Sequence, residues 1–226
     1  MTADASLPAA LGIGFLFGLR HATDADHIAA VSTFISWDRS LVRSCLVGIS
    51  WGAGHTAALL TAGVASIIFK MTISPALEKT LEIVVALVLI VLGGHVLLRS
   101  LAPVRRHRHA HTRGGTLHGD ADVHRHRHVL IFGRRPFLVG LLHGLAGSAA
   151  LTLLALATIS SPLAGVLYIV VVGVGSTAGM LAVTGVIALP FALTAGRADR
   201  LNTAIRATAG AASVVLGVWL MWTSHG

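Results

Sequence analysis

Apolar residues fall in long blocks along this chain, separated by short polar stretches. A helix that crosses a membrane needs about 20 mostly apolar residues, because the hydrocarbon core is about 30 Å thick. Six blocks meet that length: Leu7–Ile35, Leu46–Phe69, Thr80–Leu101, Pro136–Ile159, Leu163–Leu193 and Ala204–Thr223. They predict an all-α membrane protein with six transmembrane helices. The first block carries Arg20, His21, Asp24, Asp26 and His27, but its other residues are apolar or small, so it reads as one span with a polar centre. The fifth contains Pro190, which predicts a tilt or kink near its end. Glycines four residues apart (Gly14/Gly18, Gly48/Gly52, Gly140/Gly144, Gly175/Gly179) predict close helix packing. The opening run follows Asp4 rather than a basic residue and lacks a small-residue cleavage pattern, so a span is expected there and not a signal peptide.

Composition strengthens this picture. Of 226 residues, 54% are hydrophobic and 12% charged, with a mean hydropathy of +0.80. Soluble domains carry about a quarter charged residues, so most soluble enzymes are excluded, and a disordered chain with them. The formal net charge of +8 and the thirteen histidines stand out against that background. Their placement explains the charge. Six spans put both termini and the connections 70–79 and 160–162 on one side, with only Lys70 and Lys79 as basic residues. The other side holds fourteen arginines: Arg39, Arg43, nine from Arg99 to Arg135, and Arg197, Arg200 and Arg206. Basic residues concentrate on the cytoplasmic side. The expected location is therefore the plasma (inner) membrane, multi-pass, with the termini outside and the long loop cytoplasmic. A single cysteine, Cys45, excludes an intrachain disulfide and a thiolate cage, leaving nitrogen and oxygen as metal ligands.

The two halves resemble each other at a shift of about 120 residues. Phe17-Gly18-Leu19-Arg20-His21 matches Val139-Gly140-Leu141-Leu142-His143; Gly52–Ala57 matches Gly173–Ala178; Val91-Leu92-Gly93 matches Val215-Leu216-Gly217. The chain therefore divides into a first three-helix repeat (1–101), a polar segment (102–135) and a second three-helix repeat (136–226). Three spans are an odd number, so the second copy must be inverted, and inverted repeats hold substrate near the midplane between them. The copies differ in chemistry: the ionisable groups after His21 become small residues after His143, and His55 becomes Ser176.

Two imidazoles and two carboxylates lie within seven residues of the first block. On a continuous helix His21, Asp24 and His27 share one face, and Asp26 points elsewhere, suited to orienting a histidine. His55 adds a third imidazole from the next span. Imidazole with carboxylate suits Ni(II), Co(II), Zn(II) or Cu(II). Ionisable groups within a membrane are retained for pairing, proton relay or ion passage. The competing interpretation, histidines that merely satisfy packing hydrogen bonds, weakens for a cluster; it stays open for His95 and His143 taken singly. His95, His143, Ser148 and Ser176 are accessory or second-half candidates. Glu82, opening the third span, reads as an interfacial residue.

Arg20-His21-Ala22-Thr23-Asp24-Ala25-Asp26-His27-Ile28 resembles the signature of the nickel/cobalt transporter family, His-x4-Asp-His in an early membrane helix. Gly54-His55-Thr56 is similar to that family's Gly-His-Ser motif in the following span. The resemblance implies transport of Ni²⁺ or Co²⁺ with His21, Asp26, His27 and His55 at the metal, and Asp24 at a position often acidic in the family. Eight-span members carry a later acidic motif that is missing here, where His143–Ala149 stands. The chain looks more like the short six-span branch, labelled high-affinity nickel transporter or urease-accessory-like.

The loop carries His107, His109, His111, His118, His124, His126 and His128 among arginines. It is expected to be disordered and to buffer metal weakly, since clustered positive charge opposes tight binding. No aromatic platform accompanies the arginines, so nucleic acid is not a partner. The expectation is a secondary transporter with no prosthetic group, moving Ni²⁺ or Co²⁺ by alternating access, uptake favoured over efflux. The other partner is the lipid bilayer; homo-oligomer and metallochaperone contacts stay open. An enzyme is not expected, because no His-Glu-x-x-His pattern or separate general base is present. A non-transporting metal sensor or accessory protein is the rival.

Overall fold

The computed structural model describes residues 6–38, 40–70, 74–101, 127–146, 161–194 and 199–225. Every regular element among them is a helix: α1 (Ser6–His21), α2 (Ala25–Ile35), α3 (Leu41–Phe69), α4 (Pro75–Leu101), α5 (Arg127–Leu145), α6 (Pro162–Thr194) and α7 (Asp199–His225). Four are long and apolar enough to cross a membrane: α3, α4, α6 and the Arg200–Ser224 stretch of α7. Large apolar side chains such as Leu16, Val91, Leu163 and Val186 lie outward on the helices. In water such a surface would be costly; against lipid tails it is the ordinary exterior. The chain is an all-α, multi-pass membrane protein.

The first expected span, Leu7–Ile35, is not one helix. It breaks into α1 of 16 residues and α2 of 11 residues. The Thr23 N–H returns to the Arg20 carbonyl (2.9 Å) and the Asp24 N–H to the His21 carbonyl (3.1 Å). The Thr23 hydroxyl also donates to Arg20 (2.6 Å). Asp24 then takes an extended conformation (φ −65°, ψ 147°) at the N-cap of α2. Short polar residues favour such caps because they compete with the helical backbone for hydrogen bonds. The fourth expected block, Pro136–Ile159, is helical as far as Leu145, and α5 begins nine residues before it at Arg127. Positions 147–160 and 102–126 lie outside the described residues.

Small residues set the packing. Along the α1–α6 contact, Gly14 faces the Tyr168 ring, Gly18 the Val172 carbonyl, and Gly179 meets Ala22. α3 and α5 pair in the same manner, with Gly140 on the Trp51 carbonyl and Gly144 on the His55 carbonyl. α3 crosses α6 in the opposite sense, where Gly52 meets Thr177 and Gly173 meets Thr56. There the Thr56 hydroxyl donates to the Gly173 carbonyl at 2.9 Å and stands 3.0 Å from the Thr177 hydroxyl. α4 crosses α7 likewise: Gly93 abuts Gly210, and the Ser213 hydroxyl donates to the Leu89 carbonyl at 2.9 Å. A methyl added at Gly52 would lie 2.8 Å from the Thr177 Cα, so the helices would have to separate.

These contacts come in exchanged pairs. Gly18 against Val172 has its counterpart in Gly140 against Trp51, and Gly175 against Phe15 in Gly54 against Phe137. Thr56 and Thr177 touch each other across 121 positions, and Leu89 and Ser213 across 124. The same separations relate the sequence matches between the halves.

Candidate metal centre

The break after α1 brings His21 to the end of a helix and places Asp26 and His27 in the first turn of the next. The His21 Nδ1 lies 2.8 Å from an Asp24 oxygen. An ionised carboxylate can only accept, so His21 Nδ1 carries the proton and Nε2 keeps its lone pair. Asp24 is spent on this contact and makes no side-chain cap bond to α2. Asp26 does the same for His27: its Oδ1 accepts from the His27 backbone N–H (2.9 Å) and from His27 Nδ1 (3.0 Å). The other Asp26 oxygen, Oδ2, accepts from His143 Nε2 at 2.7 Å. One carboxylate thus joins α2 to α5.

Three rings then converge. His21 and His27 have centroids 4.5 Å apart, His21 and His55 5.1 Å, and His27 and His55 5.6 Å. Each offers one ring nitrogen within 4.8 Å of the others. His27 is 2% exposed and His55 fully buried. The Nε2 atoms of His21 and His27 and both nitrogens of His55 are buried without a hydrogen-bond partner. Unsatisfied buried nitrogen is costly and uncommon; with one nitrogen from each ring, the three imidazoles could hold a metal ion. Nitrogens on a shared ion at about 2.1 Å stand about 3 Å apart, so ring rotation and a small inward shift close the shell. Carboxylates on the remote nitrogens fix the tautomer and raise ligand basicity. A second triple, Asp26, His27 and His143, also lies within 4.8 Å. Trp51 stacks on His27, with centroids 5.7 Å apart and 6° between planes, and restrains that ring.

The expected geometry changes at one point. A continuous helix would aim Asp24 with His21 and His27 and send Asp26 away. Because the chain turns at Thr23, Asp26 points inward, 29% exposed, and Asp24 is the outer carboxylate, 46% exposed. Neither aspartate contacts the three-imidazole point; each holds a histidine. His143 joins the centre through Asp26. His95 is exposed on α4 and belongs to neither triple. Ser176 is fully buried beside Gly18 with its hydroxyl unpartnered. Ser148 and the loop positions His107, His109, His111, His118, His124 and His126 lie outside the described residues, and His128 is described only as part of helix α5. Two contributors escaped the sequence reading. Trp51 gives no local signal for its stacking, whereas Thr23-Asp24 ahead of an apolar run is an N-cap pattern that marks the break.

An all-α membrane protein with unsatisfied imidazoles beside a helix break belongs to the class of metal-handling membrane proteins. Comparison with known proteins narrows the class. Residues 8–146 match the NicO family model, described as high-affinity nickel-transport protein. The chain is 37% identical over 212 residues to the urease accessory protein UreH of Bacillus sp. (strain TB-90), covering 94% of this chain and 90% of that one. No solved structure matches. The chain belongs to the NicO family, and so stands among nickel-related membrane transporters and accessory proteins, not enzymes.

Proposed function

We propose that this protein carries Ni²⁺, with Co²⁺ as a chemically similar second substrate, across the plasma (inner) membrane through the His21–His27–His55 centre. The observation that carries the reading is the set of buried, unpartnered imidazole nitrogens around one point. Imidazole suits a borderline ion such as Ni²⁺ better than Mg²⁺ or Ca²⁺. The C-terminal end of α1, with its negative dipole, faces the same place and favours a cation.

Six crossings in two inverted repeats accommodate the contacts. α1 and α2 together form the first crossing, interrupted at the ion. The exchanged pairs, Gly18 with Val172 and Gly140 with Trp51, are those a two-fold axis in the membrane plane would generate. Thr56/Thr177 and Leu89/Ser213 then lie on that axis. Rocking of one repeat against the other moves the centre from one face to the other, and Asp26 to His143 is the polar tie between the repeats at the centre itself. Basic residues place the termini outside and the His-rich loop inside, where the loop buffers the arriving ion. Uptake is the direction assigned.

Purified protein in liposomes containing a metal-sensitive dye tests this. Ni²⁺ entry above empty vesicles is expected; its absence overturns transport. His27→Ala and His55→Ala are each expected to remove the flux, and flux at wild-type rate in both would place the ion elsewhere. The printed name of the UreH relative favours a second reading, an accessory protein that holds nickel without carrying it. Nickel bound tightly with no flux would select that reading.

A further inference from the structure

A cavity of about 450 Å³ adjoins the imidazole centre. His21, Asp26 and His27 line it at one end; Glu82, Thr223 and Ser224 line it where α4 begins and α7 ends. Glu82 is half-buried, and its Oε2 accepts from the Ser224 hydroxyl at 3.1 Å. His27, almost wholly enclosed and with its Nε2 unpartnered, shares the cavity wall. A carboxylate at one end of a cavity and the histidines of the centre at the other form a graded path for a divalent cation. Oxygen, a hard and labile ligand, comes first; nitrogen, which binds more tightly, comes second.

The opposite end of the α4–α7 pair holds Arg206, close to Trp37 and so to the buried Asp38 that follows it. Arg206 lies 124 positions after Glu82, the separation that joins Leu89 to Ser213 across the same helix pair. α4 and α7 run in opposite senses, so Glu82 near the start of α4 and Arg206 near the start of α7 stand at opposite ends of the pair. The Arg206 guanidinium rests 4.3 Å above the Trp37 ring, which follows the end of α2. This cation–π contact ties α7 to the connection between α2 and α3.

We infer that Glu82 is an entry station that draws the divalent cation into the cavity. The assignment rests on the transport reading. A low-dielectric cavity wall focuses the field of a single carboxylate onto an approaching cation. Glu78, one turn before Glu82, adds to that field, and exposed Lys79 subtracts from it.

The test is Ni²⁺ entry kinetics in liposomes at low and near-physiological salt. Glu82→Gln is expected to raise the half-saturating Ni²⁺ concentration about fivefold at low salt, with the maximal rate unchanged. It is also expected to flatten the salt dependence, since screening acts on the removed charge. Glu82→Asp, which keeps the charge, is expected to restore most of the salt dependence. Melting in detergent checks that each variant is folded; if Glu82→Gln is not, Glu82→Asp against wild type carries the comparison. Glu82→Gln with wild-type half-saturation and salt dependence overturns the entry station. Glu82→Asp with the salt dependence lost overturns it as well. A wild-type protein without flux overturns the transport reading instead, so the two failures are distinguishable.

Discussion

At the scale of single residues, the centre depends on which nitrogen of each histidine is free. Asp26 holds His27 by Nδ1 and His143 by Nε2, at 3.0 and 2.7 Å. Asp26→Asn keeps the volume but removes the charge and presents an amide donor to one of two rings that are already donors. Loss of such an outer partner costs 10–100-fold in metal affinity, and a rise of about that size in half-saturating Ni²⁺ is expected, with the helical signal unchanged. Asp24→Asn should matter less. Its carboxylate is 46% exposed and water can replace it on His21, so a change below about threefold is expected in the same assay. If Asp24→Asn proved the more damaging change, the assignment of Asp26 as the main orienting carboxylate would be wrong.

At the scale of helices, stability rests on close backbone approach and a few hydroxyls. In a bilayer no hydrophobic gain drives one helix onto another, so van der Waals packing and interhelical hydrogen bonds must do it. Gly52→Val pushes a side chain into Thr177. It is expected to destabilise the protein by about 1–3 kcal/mol, the range for overpacking a close contact, seen as a lower melting temperature in detergent. Thr56→Val removes the donor to the Gly173 carbonyl and the hydroxyl that Thr177 faces, while keeping the shape. About 0.6 kcal/mol is expected from that loss, so the melting temperature should fall far less than with Gly52→Val. Equal effects would mean that hydrogen bonding, not close approach, dominates this crossing. The interruption between α1 and α2 has the opposite role. Its tight turn and short helices forgo regular helical hydrogen bonding to bring His21, Asp26 and His27 to one place.

At the scale of the whole molecule, topology and the loop can be tested without disturbing the centre. Single cysteines at Ser6 and Ser224, in a chain with Cys45→Ser, are expected to react with an impermeant thiol reagent from outside intact cells. Protection of both until lysis would reverse the orientation. Deletion of residues 105–128 is expected to shift apparent affinity for Ni²⁺ without abolishing entry, and complete loss would make the loop part of the path. The helical, membrane-embedded character of the chain was legible in its sequence because apolar length is a property of each segment alone. So were the candidate residues His21, Asp26, His27 and His55, because ionisable groups in such segments are conspicuous against their neighbours. The glycine pairs signalled close packing for the same local reason. Partnership was not legible. Nothing near Asp26 names His143, 117 residues away, and nothing near Trp51 names His27. The face of each aspartate depended on a turn at Ala22–Asp24 that replaces helical periodicity with a corner. Glu82, which reads along the chain as an interfacial residue, acquires its place only when α4 lies against α7. Hydropathy and residue chemistry are summed along the chain, so the sequence alone determined the kind of protein and the ligands on offer. The partner of each carboxylate, the grouping of the rings and the cavity beside them depend on distances between segments, and these only the tertiary structure decided.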